Sequence, residues 1–376
     1  MMQLITNANV YDPSPLGLKD VLVAGARIVA ITEPGVLSLD CEALDADGGS
    51  LLPGLVDTLT HPCGGGGEGG FGNRTAEMSA SDFINAGVLT PVGALGTDSI
   101  GRSLEVLYGT VMGLRAEGVD AFMYTGSYRV PAPTLTGDVT RDLYLVDPIV
   151  GVGEVAIADH RGTQPSAMEL RRLAAETSLG GTLTGLGGTV MVHVGDGDSR
   201  LALLREAIEG SDLPASVFYP THINRSQALL DEAIEWARLG GFVDITVSTT
   251  PELVAAGDIP ALEALRYLLD AGAPLEQITC SSDAGGSLPL YVDGELQGLT
   301  AASPGVLLEL LQQVANEAPR DYAVALATMT INPARALKLP GRGRLSAEGL
   351  ANLVLMAPDA GGIRGVMGQG KWLLKP

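Results

Sequence analysis

Short apolar runs recur through the middle of the chain, separated by longer stretches in which apolar residues fall at i, i+3, i+4 and i+7. Eight such runs stand out: Leu51–Thr60, Val88–Ala94, Ala121–Thr125, Val150–Ile157, Thr189–Val194, Ser216–Thr221, Val243–Ser248 and Gln277–Ser282. Their continuous apolar character is that of strands covered on both faces. The intervening segments predict helices at Ala80–Ala86, Ser103–Glu117, Ser166–Ser178, Arg200–Glu209, Arg225–Leu239, Pro260–Leu269 and Pro304–Glu317. Gly180–Gly188 and Ala255–Gly257 read as loops. Alternating strands and helices of this number close most economically into an α/β barrel. An open doubly wound sheet is the alternative, weakened because no GxGxxG follows the first strand.

The two ends have a different texture. Gln3–Thr6, Asp20–Ala24, Arg27–Thr32 and Glu42–Asp45, broken by Pro13, Pro15, Gly25 and Pro34, read as antiparallel β material. The tail repeats the pattern with Ala351–Met356 and Ile363–Met367, punctuated by Gly361–Gly362 and Gly368–Gly370. The expected organisation is a barrel over 53–336 and one small β domain built from 1–52 plus 337–376.

With 376 residues, 46% of them hydrophobic, the chain can bury a large core. Its net charge of −21 repels nucleic acid and anionic membrane alike, so neither is expected as a partner. Cys41, Cys63 and Cys280 have no paired spacing and are expected to be free thiols in a reducing compartment, the cytoplasm. No apolar run reaches the roughly 18–20 residues of a spanning helix.

The candidate chemistry lies where the runs stop. Of the four histidines, His61, His193 and His222 each fall at the end of a predicted strand, and Asp283 follows the last one. Any one of these imidazoles could merely cap a strand; together with Glu154, inside the apolar GVGEVAIADHR, they form a donor set suited to a borderline cation such as zinc. A carboxylate inside a buried strand costs several kcal/mol unless it is paired or coordinates metal. Metal or Arg161 would both serve Glu154. Gly64–Gly67, ending at Glu68, predicts a loop of little bulk, with Gly66 in its middle, whose amides could approach an anionic ligand. Arg161 and Arg225 suit carboxylates, Tyr128 suits a developing oxyanion, Thr97 and Ser287 offer small hydroxyls, and Glu68 could receive an amino group.

These motifs together resemble the amidohydrolase superfamily and, within it, the isoaspartyl dipeptidases. The resemblance runs through LLPGLVD, GGGGE, GTDSI, TGSY, ADHR, PTHINR, SSDAGGS and GVMGQGKWL. It implies a (β/α)8 TIM-like barrel with a β-sandwich made from both chain ends, a zinc centre, a homo-oligomer, and hydrolysis of β-aspartyl dipeptides. Carried over, it makes His61, His193, His222 and Asp283 metal ligands, with Asp283 also the general base. Glu68 would bind the α-amino group, Arg161 and Arg225 the carboxylates, and Tyr128 would polarise the scissile carbonyl. Gly66, Thr97 and Ser287 would line the same pocket.

The sequence departs from the family pattern twice. Leu59 stands where the first strand's His-x-His has a ligand, and Glu154 stands where a bridging carbamylated lysine is usual. Glu154, His193 and His222 remain a full three-ligand set, so one zinc is expected to bind firmly and a second weakly or not at all. Cys63 is a conceivable soft substitute. The alternatives are an amidohydrolase of another small amide, such as an N-acyl amino acid or a cyclic amide, and a ligand-binding homologue without catalysis.

Overall fold

A computed structural model describes residues 2–292, 295–358 and 362–376; Gly361, expected as punctuation in the tail, lies outside them. The N-terminal strands are β1 (Met2–Asp12), β2 (Ser14–Ala24), β3 (Arg27–Thr32), β4 (Glu42–Asp45) and β5 (Ser50–Pro53). The middle supplies β6 (Leu55–Thr60), β7 (Val88–Gly93), β8 (Phe122–Thr125), β9 (Ile149–Ile157), β10 (Thr189–Val194), β11 (Phe218–Thr221), β12 (Val243–Thr246) and β13 (Ile278–Ser281). A hairpin, β14 (Ser287–Val292) and β15 (Glu295–Ala301), precedes the closing strands β16 (Leu353–Met356), β17 (Ile363–Gly368) and β18 (Lys371–Leu374).

Strands β6 to β11 pair in sequence order as one parallel, curled sheet, and β12 pairs with β13 in parallel. A parallel bridge joins Thr60 to Ala284, and the His61 amide donates to the Ala284 carbonyl at 2.6 Å, tying the end of β6 to the chain just past β13. Each strand is apolar throughout because both faces are covered. Leu59, Val92, Tyr124, Val150, Met191 and Tyr219 pack together on the inner face. On the outer face Val88, Val152, Val190 and Val192 meet helix residues such as Leu107, Leu170 and Leu230. The helix Ala261–Asp270 turns Ala261, Leu262, Ala264, Leu265 and Leu268 inward, the spacing of a single helical stripe.

Both chain ends build a second sheet in the order β18-β17-β16-β5-β1-β2-β3, with β4 beside β1. Val354 of β16 lies opposite Leu52 of β5, and Gln3 donates its side-chain amide to the Gly370 carbonyl at 3.0 Å. A separate core of Ile5, Val10, Val21, Leu51, Leu353 and Met367 lies under this sheet. No helix among the described residues is long and apolar enough to cross a membrane.

The expected elements are present with corrections. Strands β4 and β5 run parallel to β1, not antiparallel, and the helices Tyr322–Thr328 and Ile331–Ala336 were not anticipated. The run Leu51–Thr60 is two strands in two sheets, parted at Gly54, where a Cβ would lie 2.7 Å from the Leu89 side chain. The helix Ala167–Thr184 continues through the expected loop start at Gly180, and Gly181 is small because Gly188 would lie 2.5 Å from its Cβ. Residues Pro251–Ala256 form a helix capped by Thr250 where Ala255–Gly257 reads as a loop. The helix Val139–Leu145, β18 and the β14–β15 hairpin were not anticipated.

Candidate active site

Glu154, in the middle of β9 and 2% exposed, is the point on which the strand ends converge. Its Oε1 lies 3.3 Å from His61 Nε2, and its Oε2 lies 3.3 Å from His193 Nδ1 and 3.6 Å from His222 Nε2. One donor atom from each of Glu154, His193 and His222 falls within 4.8 Å of the others, and all three side chains are buried. Arg161, the other partner open to Glu154, turns instead to Asp159 and Glu68.

Each imidazole is held by its far nitrogen. His61 Nδ1 lies 3.1 Å from the Ala94 carbonyl, His222 Nδ1 lies 2.6 Å from Thr246 Oγ1, and His193 Nε2 lies 3.0 Å from Asp159 Oδ2. A hydrogen bond there would leave the other nitrogen of the neutral ring free to ligate an ion beside Glu154, the arrangement by which ligand histidines are oriented. His222 reaches this position through a left-handed backbone (φ 61) at the end of β11, as does Asp283 (φ 54) past β13.

The electrostatics fit a cation. Burial opposes ionisation of Glu154, but the His193, His222 and His61 rings packed around it outweigh burial and hold the carboxyl well below its usual range. Burial also disfavours the charged form of His61, yet Asp283, 3.0 Å away, and Glu154 hold that ring well above its ordinary value. Burial, with the nearby Arg225 charge, pushes His222 down to about 4. A pair of carboxylates, Glu154 buried and Asp283 partly exposed, that draws a proton onto one imidazole is short of positive charge, which a divalent ion among these N and O donors would supply.

One cleft gathers all twelve residues singled out in the sequence: His61, Gly66, Glu68, Thr97, Tyr128, Glu154, Arg161, His193, His222, Arg225, Asp283 and Ser287. Glu68 Oε1 accepts from Thr97 at 2.6 Å and from Arg161 Nη1 at 3.2 Å, while its Oε2 is buried without a hydrogen-bond partner among the described residues. Tyr128 places its hydroxyl 2.8 Å from His193 Nδ1 under the Arg161 guanidinium, and burial followed by the Glu154 charge keeps that phenol protonated. Arg225 donates to the Val194 carbonyl at 2.8 Å and faces the same ring. Gly66 adopts φ 85, and a Cβ there would lie 2.7 Å from the Asn73 carbonyl oxygen.

Two residues do not join the centre. Leu59 is fully buried among the inner-face apolar side chains, and Cys63 belongs to the outer core, its Sγ 4.0 Å from the Gly64 carbonyl. The sequence did not reveal the roles of three supporting residues, although Asp57 stands out as a polar residue near the end of the first predicted barrel strand. Asp57 accepts from the amide and the hydroxyl of Ser282, fixing the backbone that presents Asp283. Arg102 donates to the carbonyls of Cys63, Gly65 and Thr75 and so braces the glycine loop. Asp159 sits within the motif ADHR, but its partner His193 lies on the neighbouring strand, so spacing alone does not reveal it.

No family model matches the chain. Among solved structures, the β-aspartyl dipeptidase of the thermophilic keratin degrader Fervidobacterium islandicum AW-1, in complex with β-Asp-Leu dipeptide, is 39% identical with a TM-score of 0.91, covering 100% of this chain and 97% of that one. A second structure of β-aspartyl dipeptidase from that organism is 38% identical with a TM-score of 0.90 and the same coverage. An enamidase of the amidohydrolase superfamily is 17% identical with a TM-score of 0.67 over 100% of this chain and 96% of that one, a likeness of fold alone. An α/β fold with a curled parallel sheet, a buried cluster of Glu154, His193 and His222, and full-length identity at this level establish that the chain is a hydrolase belonging to the β-aspartyl dipeptidase family.

Proposed function

We propose that the protein hydrolyses the isopeptide amide of β-aspartyl dipeptides, with a zinc ion held firmly by Glu154, His193 and His222. The observation that carries this reading is the buried Oε2 of Glu68, without a hydrogen-bond partner among the described residues and beside Thr97 and Arg161, a berth for an ammonium group in the cleft that also holds the candidate metal ligands. A bound zinc would supply positive charge that favours ionised water and a more electrophilic carbonyl. Glu68 receives the α-ammonium of the aspartyl residue, and Arg161 and Arg225 receive carboxylates, while Gly66, Thr97 and Ser287 shape the pocket. Asp283 takes a proton from the attacking water on a carboxylate oxygen and returns it to the leaving amine nitrogen as the C–N bond breaks, giving aspartate and a free amino acid. Tyr128 stays protonated and donates to the carbonyl oxygen as negative charge gathers there. His61 joins Asp283 at 3.0 Å and holds the base in place; with Leu59 beside it, a second metal is weak or absent.

The same reading closes the parallel sheet into a (β/α)8 barrel over 53–336, supported by the Thr60–Ala284 bridge, and makes 1–52 plus 337–376 a β-sandwich domain, supported by the β5–β16 pairing. It also makes the protein a cytoplasmic homo-oligomer without nucleic-acid or membrane partners, supported by free Cys41, Cys63 and Cys280, the charge of −21 and the family. The test pairs metal analysis with a substrate panel. One zinc per chain and release of aspartate from β-Asp-Leu, with none of the product from an N-acyl leucine, is expected. Protein that holds no transition metal, and stays inert after zinc is added, overturns the proposal.

A further inference from the structure

Asp159 is buried, 6% exposed, against Arg161 and His193 of the cleft lining, and is engaged on both carboxylate oxygens. Oδ1 accepts from the Arg161 amide at 2.8 Å and from Arg161 Nε at 3.0 Å. Oδ2 accepts from Arg161 Nη2 at 2.6 Å and lies 3.0 Å from His193 Nε2. One side chain thus grips an edge of the guanidinium and the far nitrogen of a candidate metal ligand.

The backbone around it is built for this placement. Ala158 is left-handed (φ 50), and its carbonyl accepts from the Gly197 amide at 2.8 Å. A Cβ on Gly195 would lie 2.4 Å from that carbonyl oxygen and 2.6 Å from Asp159 Cβ, so the loop after β10 must be glycine there to seat the Asp159 turn. Gln164 closes the turn by donating to the Asp159 carbonyl at 2.8 Å.

We propose that Asp159 is a positioning residue that sets the metal-binding and substrate-binding halves of the site at once. By accepting the Nε2 proton of His193 it selects the tautomer whose Nδ1 lone pair faces Glu154. By occupying Nε and Nη2 of Arg161 it fixes the guanidinium with Nη1 toward Glu68 and the cleft. The nearby Nη atoms of Arg161 and Arg225, each 3.2 Å from His193 Nε2, are donors and cannot take that proton, so the carboxylate is its acceptor. This proposal rests on the reading that His193 holds metal and Arg161 holds a substrate carboxylate.

The test uses three readouts. In metal-free wild-type protein labelled with 15N-histidine, His193, assigned by loss of its signals in His193→Gln, is expected to carry its proton on Nε2. Asp159→Asn is expected to weaken zinc binding about 10- to 100-fold, read by competition with a chromophoric chelator, and to raise KM for β-Asp-Leu at least about 10-fold with an unchanged circular dichroism spectrum. Asp159→Glu is expected to recover part of the zinc affinity. Wild-type His193 protonated on Nδ1, or a folded Asp159→Asn protein with zinc affinity and KM within about two-fold of wild type, overturns it. Should the wild type fail to cleave β-aspartyl dipeptides, the parent reading falls, while the imidazole tautomer and the zinc affinity still decide the role of Asp159.

Discussion

Thr97 donates its hydroxyl to the same oxygen of Glu68 that Arg161 approaches, so the neighbours crowd one side of the carboxylate and leave the other side for a ligand. Glu68→Gln keeps the shape and removes the charge. A charge-assisted hydrogen bond is worth about 1.5–3 kcal/mol, so KM for β-Asp-Leu should rise roughly 10- to 100-fold while kcat changes far less. Steady-state kinetics on the dipeptide read this directly, and an unchanged KM removes Glu68 from amino-group recognition.

Asp283→Asn should lower kcat by roughly 100- to 10,000-fold, the usual worth of a general acid–base group. Zinc content should stay near one per chain, because Glu154, His193 and His222 form a group without it. Metal analysis beside the activity assay checks both halves; loss of the metal together with activity would make Asp283 a ligand first and a base second.

Leu59→His restores an imidazole two residues before His61, but on a strand face packed with Val92, Tyr124, Val150 and Met191. Burying a polar ring there should cost about 1–3 kcal/mol of stability. The variant should melt lower when metal-free and bind a second equivalent of zinc, which differential scanning calorimetry and metal titration measure. Unaltered stoichiometry would mean that a histidine at 59 does not by itself restore the second position.

Two buried acids below the site set a pH dependence. Burial pushes Asp57 up to about 7 and Asp244 up to about 6, against the hydrogen bonds each accepts from Ser282 and from Ser281, Thr279 and Thr221 respectively. An acid whose pKa is raised on folding is protonated in the native state while the unfolded chain has already ionised. Between about pH 4 and pH 7 the native state therefore binds more protons, and this contribution to stability falls as pH rises through that window. Asp57→Asn cannot ionise, so the wild type should lose ground to it steadily from pH 4 to pH 7. Urea denaturation at several pH values reads the difference, and parallel curves for the two proteins would show that Asp57 stays ionised.

Most of the strands were legible because sheet residues covered on both faces leave an uninterrupted apolar signature, as in Val88–Gly93 and Thr189–Val194. The same rule misled at Leu51–Thr60, where two sheets are joined by a single glycine and the apolar signature does not record the change of partner. Gly180 and Gly181 suggested a loop, yet they serve close approach inside a helix, and a glycine count does not separate the two uses. The helix after Thr250 did carry its signals, a threonine cap followed by Pro251. For the site, the twelve residues reach one cleft because they lie at the end of a parallel strand or in the loop after it, with Glu154 inside one, whereas Leu59 and Cys63 turn into the apolar cores. The roles of Asp57 and Asp159 were not legible because they lie in partners 225 and 34 residues away.

The pairing of β5 with β16 has a consequence for synthesis. Strand β5 is flanked by β1 on one side and by a segment some 300 residues later on the other, so during translation its outer edge stays unfilled until Leu353–Met356 has emerged. The parallel layer can gather its helices as it leaves the ribosome, whereas the first strands must wait, exposed to wrong partners, for the last ones.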